Sequence, residues 1–242
     1  MNRSRETAEA IADDALTLAI LHDRELDVGT LAGLRSIGFP DNLSLLPLAG
    51  EGRDAWRLAR LAIESFPEPM SGEELDDLAA DFAAIYLTGA YGASPCESVW
   101  LDDDHLAFQG RMFDLRQLYR DQGLVNPGRR HRPDDHLVLQ LEFIAHLLKK
   151  AYTDDDWRYL ARCLDEHLLQ WLPDFSRRVL QRSATVFYAG LAEVTAAWCN
   201  SLRDGIADLL NEERPIQGKT AAAVREFPLN FFRARPELAS GA

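Results

Sequence analysis

The sequence predicts an all-α protein, a single-domain bundle of about ten helices. Apolar residues recur at helical spacing along nearly the whole chain, and no stretch sustains the period-two alternation of a half-buried strand. Helix start and stop signals separate the apolar runs. The 242 residues are 47% hydrophobic, enough to bury most of the apolar surface of one large domain.

In the N-terminal "MNRSRETAEAIADDALTLAI", Asp13 and Asp14 interrupt any apolar run, so the segment does not read as a secretory signal. No stretch approaches the ~20 apolar residues of a spanning helix, so membrane insertion is not expected. In "SGEELDDLAADFAAIYL", Ser71 and Glu74 form a capping-box pattern, Leu75, Leu78, Phe82 and Ile85 make one stripe, and Gly89 marks the end. "FQGRMFDLRQLYRDQG" places Met112, Leu115, Leu118 and Tyr119 on one face and stops at Gly123. "TDDDWRYLARCLDEHLLQWLPDF" opens on the box-like pair Thr153 and Asp156 and is expected to break at Pro173. A last long helix is expected from about Ala184 to Leu210.

Residues 88 to 105 and 123 to 133 lack periodicity and read as functional or mobile loops. The second is a candidate hinge, so a monomer or a domain-swapped dimer is expected. The helical domain is expected over residues 1 to 210, and residues 211 to 242, with Pro215, Gly218, Pro228 and Pro236, form an irregular tail.

Asp and Glu number 39 against 26 Lys and Arg, a formal charge of -13 that repels nucleic acid and anionic membranes and suits a cationic partner. Cys96, Cys163 and Cys199 show no C-x-x-C spacing and leave one unpaired in any pairing, which points to a reduced, cytoplasmic setting. "QGKT" at residues 217 to 220 ends like a phosphate loop, but Glu213 stands where the first glycine is required.

The stretch "RPDDHLVLQLEFIAHLLKK", residues 132 to 150, sets two carboxylates and a histidine at the mouth of an almost wholly apolar helix. Asp134 or Asp135 can cap its start, and Lys149 and Lys150 complement the opposite end of the dipole. One cap needs only one carboxylate, which leaves the other, with His136, to face a cleft. His136, Gln140 and Phe143 share one face, while Glu142 and His146 pair at i,i+4 on another. No H-E-x-x-H or paired cysteine supports a metal site, and Cys96 sits in no nucleophile motif, so neither a cofactor nor a metal is expected.

Taken together, "DFAAIYLTGAYGASPCESVWLDDDHL", "MFDLRQLYRDQGL", "RPDDHLVLQLEFIAHLL" and "DEHLLQWLPDF" resemble, in order and spacing, the TorD/DmsD family of redox-enzyme maturation chaperones over roughly residues 10 to 210. The resemblance implies a non-catalytic, all-helical cytoplasmic chaperone. Its partner is a molybdoenzyme precursor, bound at its twin-arginine signal peptide and held for molybdopterin insertion. It also places the family's Asp-His pair on Asp135 and His136, and its aromatic-rich pocket on the loop from Tyr86 to Trp100. A twin-arginine peptide needs carboxylates at the rim of an apolar groove. Glu97, Asp102, Asp103, Asp104, Asp134 and Asp135 are candidates for that rim, with Ser98 and Gln140 beside them; Tyr86, Leu87, Trp100, Leu137 and Phe143 are candidates for the groove. Trp100 suits a buried aromatic equally well, and the Asp102–Asp104 triplet suits a solvated loop. Many relatives carry an aromatic residue where this chain has Cys96, so the pocket here is expected to be more open. The competing expectation is a nucleotide or metal-dependent hydrolase using His136, Glu142 and His146.

Overall fold

The computed structural model describes residues 2–45, 47 and 50–215. Ten α-helices follow in order: α1 (Asn2–Asp23), α2 (Val28–Ile37), α3 (Gly50–Ser65), α4 (Gly72–Phe82), α5 (Glu97–Leu101), α6 (Gly110–Asp121), α7 (Leu137–Lys150), α8 (Asp154–Cys163), α9 (Leu169–Arg182) and α10 (Val186–Leu210). The bundle is all-α, as its periodicity requires; among the described residues the only strand-like pairing is an isolated bridge between Cys96 and His136. The expected tail lies, from residue 216 onward, outside the described residues.

The apolar stripes find one another in two main layers. α7 runs through the interior against α1, and α10 is sandwiched between α3 and α9. Leu137, Leu141 and Leu148 of α7, Trp171 and Phe175 of α9, and Tyr188 and Trp198 of α10 are all fully buried in one continuous core. Each such side chain contributes roughly 1.5–3 kcal/mol relative to exposure.

Local signals act where they were read. Ser71 with Glu74, and Thr153 with Asp156, close reciprocal capping boxes at the starts of α4 and α8. Gly123 takes a left-handed φ of 74° just past α6.

Pro173 does not end its helix: α9 continues to Arg182 with the proline inside it. Immediately upstream, Leu164–Leu168 forms a wide π-turn in which the Leu169 N–H donates to the Leu164 carbonyl. Such a bulge re-phases the ladder ahead of the proline, which has no N–H for the bond expected back to residue 169.

α3 and α10 approach closely at Gly190, where an added Cβ would stand 2.8 Å from Ala59 Cα and 3.1 Å from its N. Both contacts are backbone and cannot rotate away, so Gly190→Ala should lower stability by about 1–3 kcal/mol. Gly205, on the same helix, has open space around it, and Gly205→Ala should raise stability by up to about 1 kcal/mol. Denaturant titration of the two variants should move the midpoint in opposite directions.

Candidate functional site

The segment containing Asp135 and His136 meets the start of α5 head to head. The Leu137 N–H donates to the Pro95 carbonyl at 2.8 Å, and the Glu97 N–H donates to the Asp135 carbonyl at 3.2 Å. Two helix N-termini, whose first N–H groups have no acceptor within their own helix and carry a partial positive charge, are thus joined at one point.

The capping roles differ from those expected. His136 itself caps α7, its Nδ1 accepting from the Val138 N–H at 3.2 Å. Asp135 instead accepts the Ser98 N–H at 2.8 Å and so caps α5, a helix 37 positions away. Asp134 caps neither helix. Its carboxylate accepts from the Arg116 guanidinium and from Asn126 Nδ2, the latter at 2.9 Å, and its carbonyl accepts the Tyr119 O–H at 2.8 Å.

Glu97 and Gln140 complete the junction. Gln140 Nε2 donates to the Asp135 carbonyl at 2.9 Å and to Glu97 Oε2 at 3.2 Å. Glu97 Oε1 lies 3.0 Å from His167 Nδ1 and 3.9 Å from the Arg111 guanidinium. Burial raises the Glu97 pKa, opposed by His167 and Arg111. It also raises that of Asp135, opposed by its hydrogen bonds from Ser98. Burial, with Arg132 adding to it, pushes the His136 pKa down to about 3, so the ring is neutral and Nε2 carries the proton.

This geometry corrects the exposed acidic rim expected from the sequence. Glu97 and Asp135 are 0% exposed and Asp134 2%; Ser98, His136 and Gln140 are buried with them. The reason is internal supply of cations and donors: Arg111, Arg116, Asn126 and His167 reach these groups from α6, the following loop and the π-turn. None of the four is close in sequence to the carboxylate it meets, so no local spacing announced them. Leu137 and Phe143 belong to the core rather than to a groove, with Phe143 against Tyr119 at 4.8 Å between ring centroids. Tyr86 turns inward, its O–H to His22 Nδ1 at 2.6 Å, among Phe82 and Tyr188.

The outward-facing candidates are Leu87, 72% exposed, the half-buried Trp100, and the exposed Asp103 and Asp104. Trp100 Nε1 donates to the Ser94 carbonyl at 2.8 Å, and the Arg178 guanidinium lies 5.9 Å from its ring centroid. Asp102 is half-buried and accepts from the Arg111 N–H at 3.4 Å. The next turn of chain adds exposed Leu106, Phe108 and Phe113, and holds His105 at φ 50° and Phe108 at φ 67°. Left-handed backbone at two non-glycine residues is a local cost of about 1–3 kcal/mol each, characteristic of functional segments.

The hydrolase expectation finds no support. His136 Nδ1 is committed to the α7 cap, and no group of three or more His, Cys, Asp or Glu residues that could hold a metal occurs among the described residues. Cys96 is buried, and burial beside Asp135 pushes its thiol pKa up, away from a reactive thiolate.

A family model described as the nitrate reductase delta subunit matches residues 50–177, a span containing the entire junction. The chain is 26% identical to the chaperone protein TorD of Vibrio parahaemolyticus, covering 74% of this chain and 84% of that relative. It is 28% identical to TorD of an Escherichia coli strain, covering 78% and 92% respectively. With TorD of Vibrio cholerae the identity is 30% over 56% of this chain and 65% of the relative. With more than half of its length matched by the model, the chain belongs to the nitrate reductase delta subunit family, the TorD family of chaperones.

Proposed function

We propose that this protein is a non-catalytic cytoplasmic chaperone that binds a molybdoenzyme precursor at its twin-arginine signal peptide and holds it for molybdopterin insertion. The observation that carries the reading is the segment from Leu87 to Phe113. It presents exposed Leu87, Leu106, Phe108 and Phe113 together with the exposed carboxylates of Asp103 and Asp104. Exposed large apolar side chains alongside carboxylates suit a peptide that carries two guanidinium groups followed by an apolar stretch.

In this reading Asp135, His136, Glu97, Ser98, Asp134 and Gln140 act as positioning residues. They set the entry and direction of α5, and with it the placement of Trp100 and the acidic turn. Burying so many ionisable groups gives little stability over an apolar junction, which supports their retention for the shape they impose. The TorD relatives, named as chaperones, support the class of function.

The test is capture of the intact precursor and of the same precursor lacking its signal peptide. Loss of capture on removing the peptide is expected. Equal capture of both forms would place recognition on the folded subunit and overturn the signal-peptide part of the proposal. A second variant, Phe108→Ser with Phe113→Ser, should weaken capture about tenfold while leaving the helical spectrum unchanged.

A further inference from the structure

The stretch from Gly110 to Pro133 runs against the charge of the rest of the chain. It carries six arginines against two aspartates, in a protein whose formal charge is -13. Three of those arginines, Arg116, Arg120 and Arg129, line one shallow pocket between α6 and the loop that follows it, with about 260 Å³ of space open to solvent.

The loop that completes the pocket is held by its own hydrogen bonds. The Asn126 side chain accepts the Gly128 N–H at 2.9 Å and donates to the Arg132 carbonyl at 3.0 Å, while the His131 N–H donates to the Gly128 carbonyl at 2.8 Å. Arg132 is tied to Asp23 of α1, and Asp134, on the pocket wall, binds both Asn126 and Arg116. The position of Arg129 is therefore set by the fold rather than by a slack connection.

The cations of this stretch do not cancel one another's counter-charges within the fold. Arg116 is committed to the buried carboxylate of Asp134, and Asp121 accepts from Gln117 at 2.7 Å. Arg120 and Arg129 are exposed and form no ion pair among the described residues. Two guanidiniums thus stand at one pocket mouth without an internal carboxylate.

The surroundings narrow the ligand. A guanidinium fork matches a carboxylate in bidentate geometry. Leu124 and Val125, the latter 74% exposed, line the same pocket, so a fitting ligand carries an apolar group next to its anion. An aspartate or glutamate followed by an apolar side chain has both, whereas a free phosphate ion would leave Val125 in water. Nucleic acid matches poorly, because a long phosphate backbone would run beyond the arginines onto the acidic remainder of the chain.

We propose that this pocket docks an acidic peptide segment of a partner protein, one carboxylate held between Arg120 and Arg129 and the neighbouring apolar side chain resting on Val125. These three residues belong to no part of the proposed signal-peptide face, and the ligand has the opposite charge, so neither reading depends on the other.

The test is fluorescence anisotropy of the full chain with a short labelled peptide of glutamate and leucine at low salt, beside its glutamine and leucine counterpart. Saturable binding of the glutamate peptide alone is expected, weakening as salt rises. Arg120→Gln with Arg129→Gln should weaken it about tenfold, and Val125→Ser about threefold, with an unchanged melting temperature showing that the bundle is intact. Equal binding of the two peptides, or indifference to the arginine pair, would overturn the proposal. So would displacement of the peptide by an equal concentration of inorganic phosphate, which would make the pocket a small-anion site. A dimer that dissociates when Arg120 and Arg129 are replaced would assign the patch to a second copy, and would overturn it as well.

Discussion

Replacing Asp81 by alanine should lower the melting temperature by about 10 °C, a loss of roughly 3–5 kcal/mol. Asp81 is 0% exposed near the end of α4 and binds three parts of the chain together. It accepts the Tyr91 O–H at 2.6 Å, the Ala184 N–H at 3.0 Å, and both the N–H and the hydroxyl of Thr185 at 2.6 Å. Thr185 begins α10 but makes no side-chain cap of its own, so the cap comes from α4 instead. Alanine would leave four donors without their acceptor. Asp81→Asn keeps one acceptor oxygen and should lose about half as much. A melting temperature within about 2 °C of wild type for Asp81→Ala would remove this residue from the account.

Acid should unfold the protein well before its carboxylates are fully titrated. His22, near the end of α1, is buried with the Tyr86 O–H on Nδ1 at 2.6 Å, from the turn that follows α4, and Thr195 of α10 on Nε2 at 2.9 Å. Because the Thr195 hydroxyl donates to the Leu191 carbonyl at 2.7 Å, Nε2 must be the protonated nitrogen and the Tyr86 O–H must point at Nδ1. Burial, reinforced by His136, pushes the His22 pKa from 6.5 to about 3, and His136 is lowered to about 3 by burial and Arg132.

Both rings bind a proton more readily in the unfolded chain than in the fold. Their contribution to stability is complete above pH 6.5, and it is lost as pH falls from 6.5 toward 3. The loss is on the order of a few kcal/mol per ring. Glu97 and Asp135, whose pKa values are raised by burial, act with opposite sign, favouring the fold as they protonate and offsetting part of the loss. Denaturant titration at pH 7 and pH 4.5 should show the drop, and His136→Asn, which keeps a capping oxygen, should reduce its size. Stability that is flat between these pH values would contradict the assignment of neutral buried rings.

Those two networks show where sequence reading stops. The boxes at Ser71 and Thr153 and the stop at Gly123 were legible because donor, acceptor and turn lie within a few residues of each other. The apolar periodicity of 137–148 likewise announced a helix through the core. Asp81 caps a helix start 104 positions later, and Asp135 caps one 37 positions earlier, so nothing near either residue revealed its role. Pro173 reads as a break in the sequence, yet α9 continues through it, and the π-turn just upstream at 164–168 has no local signature. The acidic character of "RPDDHL" is plain in the sequence, but its burial is not, since the Arg116 guanidinium and the Asn126 amide that bind Asp134 come from outside the stretch.

The central claim, recognition of guanidinium groups by the face that the buried junction holds in place, is tested most directly by calorimetric titration of a twin-arginine signal peptide at low salt. The account predicts that replacing both arginines of the peptide by lysine weakens binding at least about tenfold, because the planar fork of two arginines is lost while the charge is kept. It also predicts that Asp135→Asn weakens binding of the arginine peptide several-fold without unfolding the bundle. Equal affinity for the arginine and lysine peptides would contradict it.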